Sequence, residues 1–210
     1  MWQNGKSLAI LLTRDWELLK QQIMLAINFT PFPELATARL HFRQLKPGDA
    51  EDIYKLRSDE KVNRFLTRNR CQNLEEAAAF VNKINRSISN NEAMYWAITL
   101  NNSDSLIGTI CLWNFQPENY RAELGYELKP EYWGSGIMRE ALPGVIKYCF
   151  ETLKLHSIAA ETDPGNMQSV MLLEKNGFTR EGYFKENIHF KGKFLDTAVY
   201  SLINKNRQAD

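Results

Sequence analysis

Between residues 131 and 142 the chain reads EYWGSGIMREAL, with Gly134 and Gly136 flanking Ser135 just ahead of an amphipathic run. The chemistry such a turn offers is anion binding. The first N–H groups of a helix have no intrahelical acceptor, and the helix dipole places its positive end there. Glycines admit unusual backbone angles and let an anion approach closely. A diphosphate fits a site of this kind; an ordinary tight turn is the plainer alternative. The turn is not a dinucleotide fingerprint, because Arg139 stands where G-x-G-x-x-G needs its third glycine. A Walker loop needs Gly-Lys-Ser or Gly-Lys-Thr, which this turn lacks. A second constellation lies in NMQSVMLLEKNG, where Asn166 and Ser169 are three residues apart and share the face that opens a helix. Simple capping by Asn166 would also explain that pair, and Lys175 further along reads as a solvated helix face.

These residues need elements to hold them. ARLHFRQL alternates as a strand, with Leu40, Phe42 and Leu45 nearly on one face. KPGDAEDIYKLRSD starts a helix, with Asp49 as its expected N-cap and Glu51 and Asp52 in the first turn. NLEEAAAFVNKINRSISN is a second helix, capped by Asn73 with Glu76 three residues on. AMYWAITL, SLIGTICLWNF and YRAELGYEL follow as strands, the first two as a hairpin. The glycine turn opens a helix in which Pro143 removes an N–H and predicts a kink. HSIAAET is a strand, the Asn166 helix stops at Gly177, and the tail is a hairpin turning near Gly192. Helices and strands interleave only in the second half, which predicts a mixed sheet with helices on both faces. Ahead of this, TRDWELLKQQIMLAINF spaces Trp16, Leu19, Ile23 and Ile27 as an amphipathic helix, which Pro31 and Pro33 end. Residues 1–33 therefore read as an N-terminal extension, packed on the domain or on a second subunit as in a homodimer, and 34–210 as the domain.

Composition narrows the partners. The chain has 210 residues, 44% hydrophobic and 24% charged, with a net charge of +1. That is one medium soluble domain with an appendage, without the charge for a broad grip on nucleic acid or an anionic membrane. Cys71, Cys111 and Cys149 are scattered and odd in number, and His41, His156 and His189 are equally dispersed. No metal site and no disulfide framework are expected, and reduced thiols suit the cytoplasm. No membrane span or secretory signal is expected either.

The combination ELGYELKPEYWGSGIMREAL followed by DPGNMQSVMLLEKNGF resembles the GNAT family of acetyl-CoA-dependent N-acetyltransferases, and within it the RimJ/RimL branch of ribosomal-protein alanine acetyltransferases. The resemblance runs from about Leu35 to about Ile203 and leaves out the first 34 residues. It implies an α+β (mixed α/β), GNAT-like fold: a central mixed, mostly antiparallel sheet with splayed central strands and helices on both faces. It also implies acetyl-CoA as co-substrate, with no metal. The diphosphate would be held by backbone N–H groups of Trp133, Gly134, Ser135, Gly136, Ile137 and Met138. Pantetheine would run along the main chain of Tyr126, Glu127 and Leu128. Asn166 would touch the pantetheine arm, Ser169 would lie near the thiol, and Lys175 could reach a coenzyme phosphate. The chain departs from the wider family in having Glu131 three residues before the first glycine.

Acetyl transfer to an amine needs a proton acceptor for the amine, a donor for the tetrahedral oxyanion and a proton for the thiolate. Glu123 and Glu161 lie on the two strands that would splay and are the candidate bases, Glu123 ranked first for sharing the pantetheine strand. Glu161 stands five residues before Asn166, the spacing of the base in RimI-type members. Those members carry a tyrosine acid seven residues after the Asn, where this chain has Leu173. Ser169 is the substitute the resemblance offers, as an orienter of sulfur or water. The acceptor could be a protein N-terminus, an amino acid, a polyamine or an aminoglycoside-like amine. The basic stretches VNRFLTRNR and FKENIHFKGK would line its pocket and would favour an acidic peptide. A non-catalytic acyl-CoA-binding module is the rival from another class.

Overall fold

The computed structural model describes residues 25–206. Its strands are β1 (Leu35–Ala36), β2 (Leu40–Arg43), β3 (Met94–Leu100), β4 (Gly108–Gln116), β5 (Arg121–Leu128), β6 (Ser157–Thr162), β7 (Thr179–Phe190) and β8 (Lys193–Ile203). The helices are α1 (Ala50–Ser58), α2 (Glu60–Asn63), α3 (Leu74–Ser89), α4 (Ile137–Lys147) and α5 (Met167–Lys175). One sheet has the order β1-β2-β3-β4-β5-β6-β8-β7, and every pairing is antiparallel except β5 with β6. This is the mixed, mostly antiparallel sheet that the resemblance implies. The single parallel step exists because β5 reaches β6 through α4, as a parallel pair requires a crossover.

Neighbouring strand residues point to opposite faces, so two adjacent aromatics in β3 identify what covers each side. Tyr95 meets Phe80 of α3, and Trp96 meets Tyr148 in the single π-turn that continues α4. Register carries these faces across the sheet. Tyr95, Cys111 and Gly125 align on the α3 face; Trp96, Ile110 and Tyr126 align on the α4 face. The core is apolar on both sides, with Leu40, Phe42, Ile53, Leu56, Trp96, Ile110, Leu142 and Leu155 each removed from solvent.

Local signals account for most helix ends. Asn73 accepts the Glu76 N–H at 2.9 Å, and Asn166 accepts the Ser169 N–H at 3.2 Å. Gly177 and Gly192 take φ of 84° and 77° at the α5 stop and the β7–β8 turn, as a helix stop and tight turn require. Asp49 corrects its expected role. It precedes α1 but makes no side-chain cap; both its oxygens take Arg43 guanidinium bonds at 2.8 Å, and one also takes the Lys46 N–H. Arg43 turns inward, and a buried guanidinium needs a carboxylate more than the helix end does. The run from Ile137 to Lys147 passes through an exposed Pro143 as one helix.

Most of the helix expected over residues 13–29 lies outside the described residues. Its last part, from Leu25, has no helical structure. The stretch 25–33 instead packs on the domain. Phe29 is 1% exposed and meets Phe115, its N–H donates to Asn91 Oδ1, and the Trp96 indole donates to the Pro33 carbonyl.

Candidate active site

The β5–β6 ladder consists of three pairs, Arg121↔Ser157, Ala122↔Ile158 and Glu123↔Ala159, and then stops. Beyond it β5 continues on β4 as far as Leu128↔Gly108, while β6 continues on β8 through Glu161↔Val199 to Thr162↔Ala198. The two strands therefore part after Glu123, and a gap opens between them. The Lys129 N–H bonds the Ile107 carbonyl at 2.9 Å. In an antiparallel ladder this fixes which residues turn their main chain to the partner. Gly125 and Glu127 turn theirs to β4; Leu124, Tyr126 and Leu128 turn theirs into the gap. Of the three residues expected to meet pantetheine by main chain, Tyr126 is free to do so, and Leu128 keeps its N–H while its carbonyl accepts the Trp133 indole. Glu127 is engaged with Thr109.

The glycine turn closes the far end of β5. Gly134 and Gly136 have φ of 72° and 76°, the left-handed region that disfavours a side chain, and Gly136 is the residue before α4. The first intrahelical bond is Glu140 N–H to the Gly136 carbonyl, so the N–H groups of Ile137, Met138 and Arg139 have no intrahelical acceptor. Trp133 differs from the other five turn residues. Its N–H bonds Pro130, and its indole donates to the Leu128 carbonyl at 2.8 Å. It is thus a wall of the turn and not a free donor. The turn is anchored from the leader of β2. Glu140 accepts from Thr37 Oγ1 at 2.6 Å, from the Arg39 N–H at 2.8 Å and from Arg39 Nε at 2.5 Å, and Arg39 also donates to the Ser135 carbonyl. These bonds hold Glu140 below the ordinary carboxylate range, the Thr37 bond first.

On the α4/α5 face of the gap, Ser169 in the first turn of α5 meets the Tyr126 phenol at 2.7 Å. Burial raises the phenol to about 12, against a smaller lowering by Ser169. Asn166 caps the same turn. Lys175 is exposed at the other end of α5, on the order of 13 Å along the axis from Asn166 at the usual helical rise.

The opposite face carries the carboxylates. Glu123 lies beside Ala159, two residues from Glu161, so both glutamates share this face. Asn114 takes a positive φ of 46° next to the β4 irregularity and donates to Glu123 at 2.6 Å. Glu161 takes no hydrogen bond from a described residue; its pKa is raised, by partial burial first and then by the charge of Glu123. Glu127 is held by Arg68 in a two-bond pair at 2.5 and 2.6 Å, with Arg57 at 3.4 Å. Arg57 in turn sits 3.9 Å from the Phe80 ring centroid. The loop after α2 reaches across the gap, where a Cβ on Gly165 would lie 3.7 Å from Phe65 Cε1.

The expected acceptor rim is less basic than its sequence. Arg68 is paired with Glu127, which it shares with Arg57, and Arg70 lies 3.7 Å from Glu60. The second stretch, residues 184–193, belongs to a hairpin that overshoots the end of β6, with Phe184 opposite Thr197. Asn114, Arg57 and the Tyr126 phenol were not identified from sequence as site side chains. Nothing local signals them, because each acquires its partner across the sheet or between sheet and helix. Among the described residues no group of three metal-ligating side chains is present, and no helix is long and apolar enough to cross a membrane.

Known proteins share this architecture. The Acetyltransferase (GNAT) domain profile matches residues 39–179. The N-acetyltransferase YoaA of Bacillus subtilis, itself uncharacterized, is 33% identical over 172 residues, which cover 82% of this chain and 97% of YoaA. The [ribosomal protein uS5]-alanine N-acetyltransferase of Escherichia coli is 31% identical over 120 residues, 57% of this chain and 62% of that one. A GNAT-family acetyltransferase structure from Bacillus anthracis superposes with a TM-score of 0.72 at 29% identity, covering 81% of this chain and 98% of that one.

Proposed function

From the premise that the chain belongs to the GNAT acetyltransferase family, we propose that it moves the acetyl group of acetyl-CoA to a primary amine, with a protein N-terminal amine of the ribosomal-protein alanine type as the leading acceptor. One observation carries this reading: the β5–β6 ladder ends after Glu123↔Ala159. The ending leaves gap-facing main chain at Tyr126 and Leu128, the glycine turn at one end and two carboxylates on the acceptor side.

The steps follow from that geometry. The diphosphate lies on the N–H groups of the turn from Gly134 to Met138, where the helix dipole favours an anion. Pantetheine adds to the open edge of β5 and brings the thioester between the two faces. The acceptor arrives as an ammonium ion, since an alkylamine is mostly charged at neutral pH. Glu123, already oriented by Asn114, attracts it. Glu161 takes its proton, because partial burial and the neighbouring charge make that carboxylate the better base. This reverses the order that position along β5 alone suggested. The amine nitrogen then attacks the acetyl carbon, a gap-facing N–H of β5 faces the oxyanion, and the C–S bond breaks with Ser169 beside the sulfur.

The same carboxylate pair supports a small polyamine as a second acceptor, since two anionic groups on one face attract a multiply charged amine. Calorimetry with acetyl-CoA, followed by thiol release with an alanine-ended peptide and with spermidine, tests the proposal. Release with the peptide supports the leading acceptor and release with spermidine the second. Tight coenzyme binding without release on either class, or on an amino acid or aminoglycoside amine, identifies a non-catalytic binding module.

A further inference from the structure

RimI-type members draw their thiolate acid from the α5 position that Leu173 occupies here. Leu173 is 1% exposed in the core and offers no acid. A phenol nevertheless reaches α5 one turn earlier, at Ser169, from the sheet side. Tyr126 projects from β5 on the α4/α5 face, and its oxygen lies 2.7 Å from Ser169 Oγ. The main chain of Tyr126 opens into the gap, while its side chain lies under the helix turn that Asn166 caps. One residue thus touches both the proposed pantetheine path and the hydroxyl beside the sulfur.

We propose that Tyr126 is a positioning residue for the leaving thiolate: its phenol donates to Ser169 Oγ and so commits the serine hydrogen to the sulfur. This rests on the acetyltransferase reading of the gap. The direction follows from the inventory of the two groups. A phenol is a far stronger acid than an alcohol and the better donor, and a buried phenol needs a partner. Ser169 is the hydrogen-bond partner it has among the described residues. A serine oxygen that accepts from tyrosine keeps one hydrogen, and that hydrogen is the one it offers to the sulfur. The phenol stays protonated across the neutral range, since burial raises it to about 12. Two hydrogen bonds in series polarise one another, which strengthens the one on sulfur.

The step balances without an acid. The C–S bond breaks, its electron pair stays on sulfur, and the serine O–H holds that charge. No proton leaves Ser169 or Tyr126. The ammonium gives one proton to Glu161 before attack, the nitrogen loses its second proton to solvent as the new N–C bond becomes the amide, and the thiolate is protonated from solvent.

The test reads the thiol of bound coenzyme A and needs no acceptor. Thiolate absorbance of the complex, taken as a difference from protein alone, is followed against pH. In the wild type the bound thiol should titrate below the free coenzyme. Tyr126→Phe should raise that titration by about one unit, the worth of a weakened hydrogen bond to a charged group, with unchanged affinity where the thiol is protonated. Ser169→Ala should raise it further, and the double variant no further than Ser169→Ala alone. A Tyr126→Phe titration equal to wild type, or additive effects in the double variant, overturns the inference. Should Tyr126→Phe not fold, the serine decides: a Ser169→Ala titration equal to wild type shows that its hydroxyl is not on sulfur. A wild-type protein that binds no coenzyme A removes the acetyltransferase reading itself, a separate outcome.

Discussion

On one face of β5, Tyr126 meets Ser169 beneath the Asn166-capped turn; on the other, Glu123 and Glu127 face Asn114, Arg57 and Arg68. The first face is uncharged and presents main chain and hydroxyls. The second is crowded with ions. Both are built by the same eight-residue strand, so the difference lies in the partners each side receives. A helix lies under the first face and leaves polar but neutral groups near the gap, as suits a thioester and an amide-rich arm. The second receives a loop and a bulged strand, and there carboxylates can either be neutralised, as Glu127 is, or left without a hydrogen-bond donor among the described residues, as Glu161 is.

The largest effect should come from breaking the charged face. Glu161→Gln should lower turnover by roughly 10²–10⁴-fold, the usual worth of a positioned base, with acetyl-CoA affinity unchanged by calorimetry. Glu123→Gln should cost less and act mainly on acceptor KM. If the two results exchange places, Glu123 takes the proton and Glu161 is the anchor.

Breaking the neutral face should separate from this. Gly136→Val forces a branched side chain into the left-handed region, at a cost of about 1–2 kcal/mol, and distorts the anion turn. Coenzyme affinity should fall by about tenfold or more, since a mispositioned turn forfeits several N–H contacts. Unchanged affinity in calorimetry would falsify the assignment of the diphosphate to this turn.

Glu127 offers a contrast within the charged face. Glu127→Gln should destabilise by about 1–3 kcal/mol, because it leaves two half-buried guanidinium groups short of an acceptor. Denaturant melts measure this. A loss of turnover without a loss of stability would instead move Glu127 into the chemistry.

The smallest effect is a stability gain that depends on pH. The folded pKa of Glu161 is raised, so folding favours its protonated form. Its contribution is fully present below the ordinary carboxylate range and is lost as pH rises through the folded value. Glu161→Gln should therefore melt slightly higher than wild type at neutral pH, and the difference should shrink in acid. Equal melting temperatures at both pH values would place Glu161 in full contact with water.

Much of the scaffold was readable before folding. Gly134 and Gly136 adopt the angles that a glycine-rich helix start requires, and Asn73 and Asn166 cap the helices they precede. Each signal is local, since the residue and the group it satisfies lie within one turn. Asp49 looked equally local and was not. Arg43 claimed its carboxylate, because an unpaired buried guanidinium is costlier than an unmet helix end. The stretch 25–33 shows the same limit. Its two prolines suggested a boundary, yet Phe29 fills the core beside Phe115. A chain beginning at Glu34 should be less stable than one beginning at Leu25 by about 2–3 kcal/mol, the worth of one buried aromatic, in thermal or denaturant melts.

By itself the sequence determined the order of elements, the position of the glycine turn and, through its motifs, the family. Periodicity, caps and glycines are short-range devices and survive in a one-dimensional reading. Only the tertiary structure decided where β5 leaves β6, which main-chain groups of Tyr126, Glu127 and Leu128 face the gap, and which carboxylate is neutralised. These depend on strand register and on contacts such as Tyr126 with Ser169, separated by 43 positions. A shift of one residue in that register would exchange the two faces of β5, and no local pattern in the chain records which face each residue takes.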